Sequence, residues 1–299
     1  MGAKGGIFMY ELIQVSENAF YLDCPAKIGL VQTEGGLVAI DSGSDKDAGK
    51  KVLKAVQARG QTLTAICSTH SHADHIGGNH YLQEQTGCAI YAPAIERDFT
   101  EHPLLESAFL YGGFPLDALR RKFLLAQESR AALLPEGALP GGLKAIPLPG
   151  HSFNMVGYRT AEDVVYLADC LAARETLDKY GLAFLWDVAA YLDTLEQVKT
   201  MEARCFVPAH APATEDIAPL AQYNIDATLA AGELIAGLCR EPVLFEELLR
   251  GIFDHYGTTL NPQQYVLVGS TLRSYLAWLQ KLGRVNAVFE DNRMLWLAK

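Results

Sequence analysis

No two of the six cysteines, Cys24, Cys67, Cys88, Cys170, Cys205 and Cys239, form a Cys-x-x-Cys pair. That absence argues against a cysteine-rich zinc knot, and the wide spacing argues against a disulfide framework. Most of the six read as small apolar residues in or beside strands. Long apolar runs are missing too: none reaches the roughly 18 residues that a membrane span needs. Positive charge is scarce, with 25 Lys and Arg against 35 Asp and Glu and a net charge of -10. Duplex binding rests on Lys and Arg neutralising phosphates, so nucleic acid is not the expected partner. No solenoid-type repeat occurs. The start, Met1 to Gly6, is Gly-rich, and Ile7-Phe8-Met9 is too short for a signal-peptide core, which leaves Met9 as a second candidate start. The expectation is a cytoplasmic protein with one large α/β domain, alone or with a small appendage.

Short apolar runs at 19–22, 28–33 and 37–40 read as strands, with Gly35-Gly36 turning between the last two. Residues 45–59 carry Ala48, Val52, Ala55 and Val56 on one helical face. A buried strand at 65–68, a helix at 77–85 and a strand at 89–92 follow. Residues 93–142 break the rhythm. Within them 104–134 is helix-prone and rich in Phe109, Tyr111, Phe114 and Leu124, punctuated by Pro103, Gly112-Gly113, Pro115 and Pro135. This segment reads as an inserted helical pair: extra core, a lid over a site, or a subunit interface that would make a homodimer. Strands resume at 143–148, 155–160 and 164–168. A helix at 187–202, a strand at 205–208 and a long helix at 216–238 complete a body over 9–240. In the last stretch, 241–299, two helices precede a closing hairpin, which looks like a small winged-helix unit. Its six Lys and Arg are matched by six Asp and Glu, so it lacks the basic footprint of a nucleic-acid binder.

The chemistry concentrates in Thr69-His70-Ser71-His72-Ala73-Asp74-His75. Imidazole and carboxylate suit zinc and its first-row neighbours. A loop after a strand can turn His70 and His72 towards one position and Asp74 and His75 towards a second. Gly77 and Gly78 then permit a tight entry into the next helix. Three further strand ends deliver ligand-type residues: Pro149-Gly150-His151-Ser152, Leu167-Ala168-Asp169 and Val207-Pro208-Ala209-His210. Strand ends are where α/β folds build sites. His80, His102 and His255 fit no motif and read as surface or core residues, and Cys170 reads as a structural thiol.

The order His-x-His-x-Asp-His, then Gly-His-Ser, Ala-Asp and Ala-His, resembles the full ligand set of metallo-β-lactamase superfamily hydrolases. Asp41-Ser42-Gly43 matches that family's early Asp motif, and the likeness spans roughly residues 20–215. It implies an αββα sandwich of two mixed β-sheets. It also implies two divalent metal ions. His70, His72 and His151 would hold the first; Asp74, His75 and His210 would hold the second. Asp169 would bridge them, and Asp41 would orient the His-rich loop from behind. The nucleophile would be a metal-bridging hydroxide, with Asp74 as a proton acceptor during breakdown of the intermediate. Zinc is the expected metal, with iron or manganese open at the second position.

Within the superfamily, His72 argues against the flavodiiron branch, where Glu is typical. Asp169 argues against the lactamases, which carry Cys there or lack the bridging Asp. Glyoxalase II enzymes share all seven ligands, although their Asn-Pro-Phe-type ending is missing here. Lactonases share the ligands and commonly use a Tyr, for which Tyr111, Tyr158, Tyr180 and Tyr223 are candidates. The primary expectation is therefore hydrolysis of a small-molecule carboxylic ester, thioester or lactone, with Phe109, Tyr111 and Phe114 helping to enclose the substrate. Some relatives with a winged-helix-like extension cleave RNA, which keeps a phosphodiesterase as the alternative. A non-catalytic metal-dependent sensor or adaptor is the second alternative.

Overall fold

The computed structural model describes residues 10–299, so the Gly-rich start and Met9 lie outside the described residues. Strands β1 (Glu11–Gln14), β2 (Ala19–Asp23), β3 (Ile28–Thr33) and β4 (Gly36–Ile40) form an antiparallel meander. Helix α1 (Lys46–Ala58) crosses over to β5 (Leu63–Cys67), which pairs parallel to β4. Asp45 starts α1 by accepting hydrogen bonds from the Asp47 and Ala48 amides. Short helices α2 (Ala73–Ile76) and α3 (Asn79–Thr86) lead to β6 (Ala89–Ala92). Helices α4 (Ala94–Glu101) and α5 (Leu104–Tyr111) precede β7 (Ala132–Leu133). The result is one seven-stranded mixed sheet, in order β1 to β7.

The second sheet runs β11-β10-β9-β8. Its members are β8 (Lys144–Pro147), β9 (Val156–Arg159), β10 (Val164–Ala168) and β11 (Cys205–Pro208), with only the β10–β11 pair parallel. Helices α6 (Arg174–Tyr180) and α7 (Val188–Lys199) connect β10 to β11. After α8 (Ala218–Leu238) and β12 (Val243–Leu244) come α9 (Phe245–Tyr256), α10 (Pro262–Lys281), β13 (Val285–Glu290) and β14 (Arg293–Ala298). The last strands form a small antiparallel sheet, β12-β14-β13.

Three apolar layers make this an αββα sandwich. Val31, Val38, Ile40 and Cys67 of the first sheet meet Val156, Tyr158, Tyr166 and Val207 of the second. Leu30, Leu37 and Ile66 on the outer face of the first sheet pack with Val52, Val56 and Leu82 of the helices. The outer face of the second sheet shares one core with α7, α8, α9, α10 and β13, through residues such as Val165, Leu195, Ile235, Leu272 and Val285. None of the described helices is long and apolar enough to cross a membrane.

Some elements differ from the sequence reading. The helical pair of the insert is α4 and α5, and it ends at Tyr111. Gly112 stops it in a left-handed conformation at φ 78°, and Gly113 and Pro115 prevent a restart. Leu119 and Leu124 are still buried, on a single 3-10 turn and irregular chain. The helix expected at 77–85 begins four residues earlier and is divided at Gly77-Gly78. The brief β1, β7 and β12 and the helix α6 escaped the sequence reading. Three of these span only two to four residues, too short for a periodic signal.

Candidate metal centre

Strand ends of both sheets deliver the site. The His-rich loop leaves β5 and enters α2, so His72 precedes the helix while Asp74 and His75 lie within it. His151 sits in the turn between β8 and β9, Asp169 follows β10, and His210 follows β11. Two backbone features aim these residues. Ala168, just before Asp169, takes φ 49°, a costly conformation for a residue with a Cβ. Gly150 takes φ 119°, and a Cβ there would lie 2.3 Å from the Tyr191 amide nitrogen, so only glycine lets the turn carrying His151 lie against α7.

All seven ligand-type side chains converge. The His72 Nδ1 atom lies 3.1 Å from His70 Nε2 and 3.0 Å from His151 Nε2. Asp169 Oδ2 lies 3.4 Å from His151 Nε2 and 3.3 Å from His210 Nε2. Its Oδ1 lies 3.1 Å from His75 Nε2. Asp74 Oδ2 lies 3.4 Å from His210 Nε2 and 3.9 Å from His75 Nε2. The donors fall into two groups: His70, His72, His151 and Asp169, and then Asp74, His75 and His210. Asp169 faces both.

The outward nitrogens explain this convergence. The Asp41 carboxylate accepts from His75 Nδ1 at 2.8 Å, from the Thr69 hydroxyl at 2.8 Å and from the Thr69 amide at 2.7 Å. With its proton given to Asp41, the Thr69 oxygen accepts from His70 Nδ1 at 3.0 Å. His151 Nδ1 donates to the Phe184 carbonyl at 3.0 Å, and His210 Nδ1 donates to the Pro25 carbonyl at 2.6 Å. Each of these four rings is thereby held in the orientation that points Nε2 inward, as a metal-binding imidazole requires. His72 is reversed: Nδ1 points inward, and Nε2 lies 3.6 Å from Glu106 Oε1 on α5.

A cation fits this donor set. His75 Nε2 and Asp169 Oδ1 are buried with no hydrogen-bond partner, which is costly for groups that only point at one another. His72 Nδ1 lies about 3 Å from both His70 Nε2 and His151 Nε2, and with the protons of those two rings committed outward, a single proton on His72 cannot fully satisfy both lone pairs. The electrostatics divide the site. Burial pushes His70 well below the ordinary imidazole value and His72 and His151 down to about 4, leaving neutral rings with a free lone pair. Around the second group carboxylates outweigh burial. His75 is held well above its ordinary value, chiefly by Asp169, Asp74 and Asp41, and Asp169 raises His210 to about 10. Burial opposes ionisation of Asp74, but His75 and His210 draw it down to about 2.

Two acidic residues of the insert belong to the site and went unnoticed in the sequence. Glu96 of α4 is fully buried, and its carboxylate accepts hydrogen bonds from Ser71 and from the Ser152–Asn154 turn. Glu106 of α5 faces His72, and burial, with help from Glu96 and Asp74, raises it to about 8. Phe184 packs on both His72 and His151, with ring centroids 5.2 and 5.6 Å apart. Neither glutamate sits in a motif, and no spacing marks them.

Other expected residues are more scattered. Phe109 and Tyr111 line a groove of about 720 Å³ with Trp186, Arg273 and Lys281, whereas Phe114 is 73% exposed and lies outside it. The Tyr158 hydroxyl is buried and donates to the Ser68 carbonyl, and the Tyr223 hydroxyl meets Asp178. Tyr180 lines a shallow recess beside Phe184. His80 contacts the Glu128 carbonyl, away from the centre, and Cys170 is buried as a free thiol.

A ligand constellation of imidazoles and carboxylates on an αββα sandwich defines a class of metal-binding proteins. Residues 22–210, more than half of the chain, match the family model described as the Metallo-beta-lactamase superfamily, and the chain belongs to that superfamily. It is similar to a hydroxyacylglutathione hydrolase of Rhodospirillum rubrum, 27% identical over 205 residues, covering 67% of this chain and 64% of the relative. A hydroxyacylglutathione hydrolase of a Synechococcus strain is 49% identical over 55 residues, covering 18% of this chain and 21% of the relative. These matches span less than two thirds of the length of either relative. Among solved structures, a beta-lactamase domain protein from Burkholderia ambifaria superposes with a TM-score of 0.77 at 16% identity. It covers 99% of this chain and 97% of its own, a likeness of fold that includes the C-terminal helices and hairpin.

Proposed function

We propose that this protein is a metal-dependent hydrolase that holds two divalent cations, preferably zinc, and cleaves a small-molecule carboxylic ester, thioester or lactone. The observation that carries the reading is the two donor groups joined by Asp169, with four imidazoles oriented Nε2-inward by outward partners. His70, His72 and His151 would hold the first cation, Asp74, His75 and His210 the second, and Asp169 both. When bound, the pair would supply hydroxide at neutral pH and polarise the acyl oxygen. The chain's own residues do the rest. Asp41 and the Phe184 and Pro25 carbonyls keep the rings aimed. Asp74, 44% exposed at the rim, is placed to take a proton as the acyl bond breaks and hand it to the leaving group. The aromatic groove beside the Trp186 segment, with Arg273 and Lys281 on its wall, suits an apolar acyl body that carries an acidic group. Similarity to hydroxyacylglutathione hydrolases supports a thioester among the candidates.

We also propose that the chain divides into a body at 9–240, with its insert at 93–142, and a winged-helix-like unit at 241–299. Two helices followed by the β13–β14 hairpin support the second unit. Exposed Phe114, Leu116 and Phe123 on the insert support a homodimer, which sedimentation would read directly.

A paired turnover assay tests the function. Zinc-reconstituted protein is given a panel of thioesters and lactones and, separately, a generic phosphodiester, with Asp169→Ala as control. Acyl turnover that disappears in the variant is the expected result. Turnover of the phosphodiester alone would overturn the substrate class.

A further inference from the structure

The insert holds a buried carboxylate whose position is specific. Glu96 lies on α4 and is 0% exposed. Its Oε2 accepts from the Ser71 amide at 3.1 Å and the Ser71 hydroxyl at 2.7 Å. Its Oε1 accepts from the Ser152 hydroxyl at 2.7 Å and the Asn154 amide at 3.0 Å. Ser71 stands between His70 and His72, and Ser152 follows His151. One side chain therefore ties together the two loops that carry all three imidazoles of the first donor group, one loop from each sheet. We infer that Glu96 is the positioning residue of the first metal half-site, setting its affinity by clamping the His70–His72 loop to the His151 turn.

A carboxylate is costly to bury unless its lone pairs are filled, and here two amides and two hydroxyls fill them, with no Lys or Arg among the donors. The geometry supplies the rest. His70 and His72 stand on one sheet and His151 on the other, and the distance between them is held where the loops meet. Four hydrogen bonds to one rigid helix define that distance better than packing alone.

This inference rests on the two-cation reading, so the experiment separates the two. Holoenzyme reconstituted with Zn2+ is titrated with a competing chelator, and Co2+-substituted protein is followed by its visible absorption. Wild-type protein that takes up no metal would sink the functional reading itself. If wild type binds two equivalents, Glu96→Gln is expected to lower the affinity of one by about 10–100-fold, leave the other in place and change the Co2+ spectrum of the weakened site. In a His210→Ala background, which leaves the first half-site to be read alone, the same change should abolish tight binding. Circular dichroism of the metal-free variant checks its fold. Ser152→Ala and Ser71→Ala, which each remove one tie, serve if Glu96→Gln does not fold and should give smaller losses of the same site. Unchanged chelator curves and Co2+ spectra in the folded variants would overturn the inference.

Discussion

The two donor groups of the proposed metal centre are built from similar side chains and supported in different ways. The first, His70, His72 and His151, is buried, uncharged by desolvation, and gripped from outside by the insert through Glu96, with Glu106 facing His72 at 3.6 Å. The second, Asp74, His75 and His210, reaches the rim, with Asp74 44% and His210 32% exposed, and carries paired charges. It is held by the sheets themselves, through Asp41 after β4 and the Pro25 carbonyl between β2 and β3. The lesson is that a ligand run read from sequence describes the inside of a metal site, while the outside can come from unrelated segments.

The largest test of this contrast removes what the halves share. Asp169→Ala should cost both half-sites, reducing metal content by elemental analysis and turnover by well beyond the roughly 100-fold typical of losing an outer partner. Gly150→Ala comes next. Its positive φ alone costs about 1–3 kcal/mol, and the Tyr191 backbone blocks the added carbon. A lowered melting temperature with loss of the first metal before the second is expected. Asp41→Asn then sharpens the comparison from the other side. It should weaken the second half-site by about 10–100-fold in chelator competition, because His75 loses its carboxylate acceptor, and disturb the first only through Thr69. Glu106→Gln should be the mildest. At 3.6 Å from His72 it makes no close hydrogen bond, and a change of about tenfold or less in first-site affinity is expected.

What was legible in the sequence follows the same line. His70, His72, Asp74 and His75 crowd one loop, and His151, Asp169 and His210 each end an apolar strand, so short-range pattern was enough to nominate them. The strand rhythm gave an α/β body, and the αββα layering followed only from the resemblance that the ligand order carries. Glu96 and Glu106 were not legible. Each stands in a short helix, in Ala-Ile-Glu-Arg and Leu-Leu-Glu-Ser, where a glutamate ordinarily faces water. Only the path of the insert back across the loops turns them inward. The extent of the insert's helices was overread for a related reason: composition favoured helix to 134, but Gly112, Gly113 and Pro115 set the backbone.

One feature of the C-terminal helix reaches further than its distance from the loops suggests. The Ser274 hydroxyl of α10 donates to the Trp186 carbonyl, and Thr271 accepts from the Leu185 amide. One residue before Leu185, the Phe184 carbonyl fixes His151. The same helix lends Leu272 and Leu276 to the core under the second sheet. Through Leu185 and Trp186, α10 is tied to the segment whose carbonyl holds the His151 ring. Removing the Ser274 or Thr271 hydroxyl would slacken that tie, and the His151 imidazole resonance would act as its strain gauge.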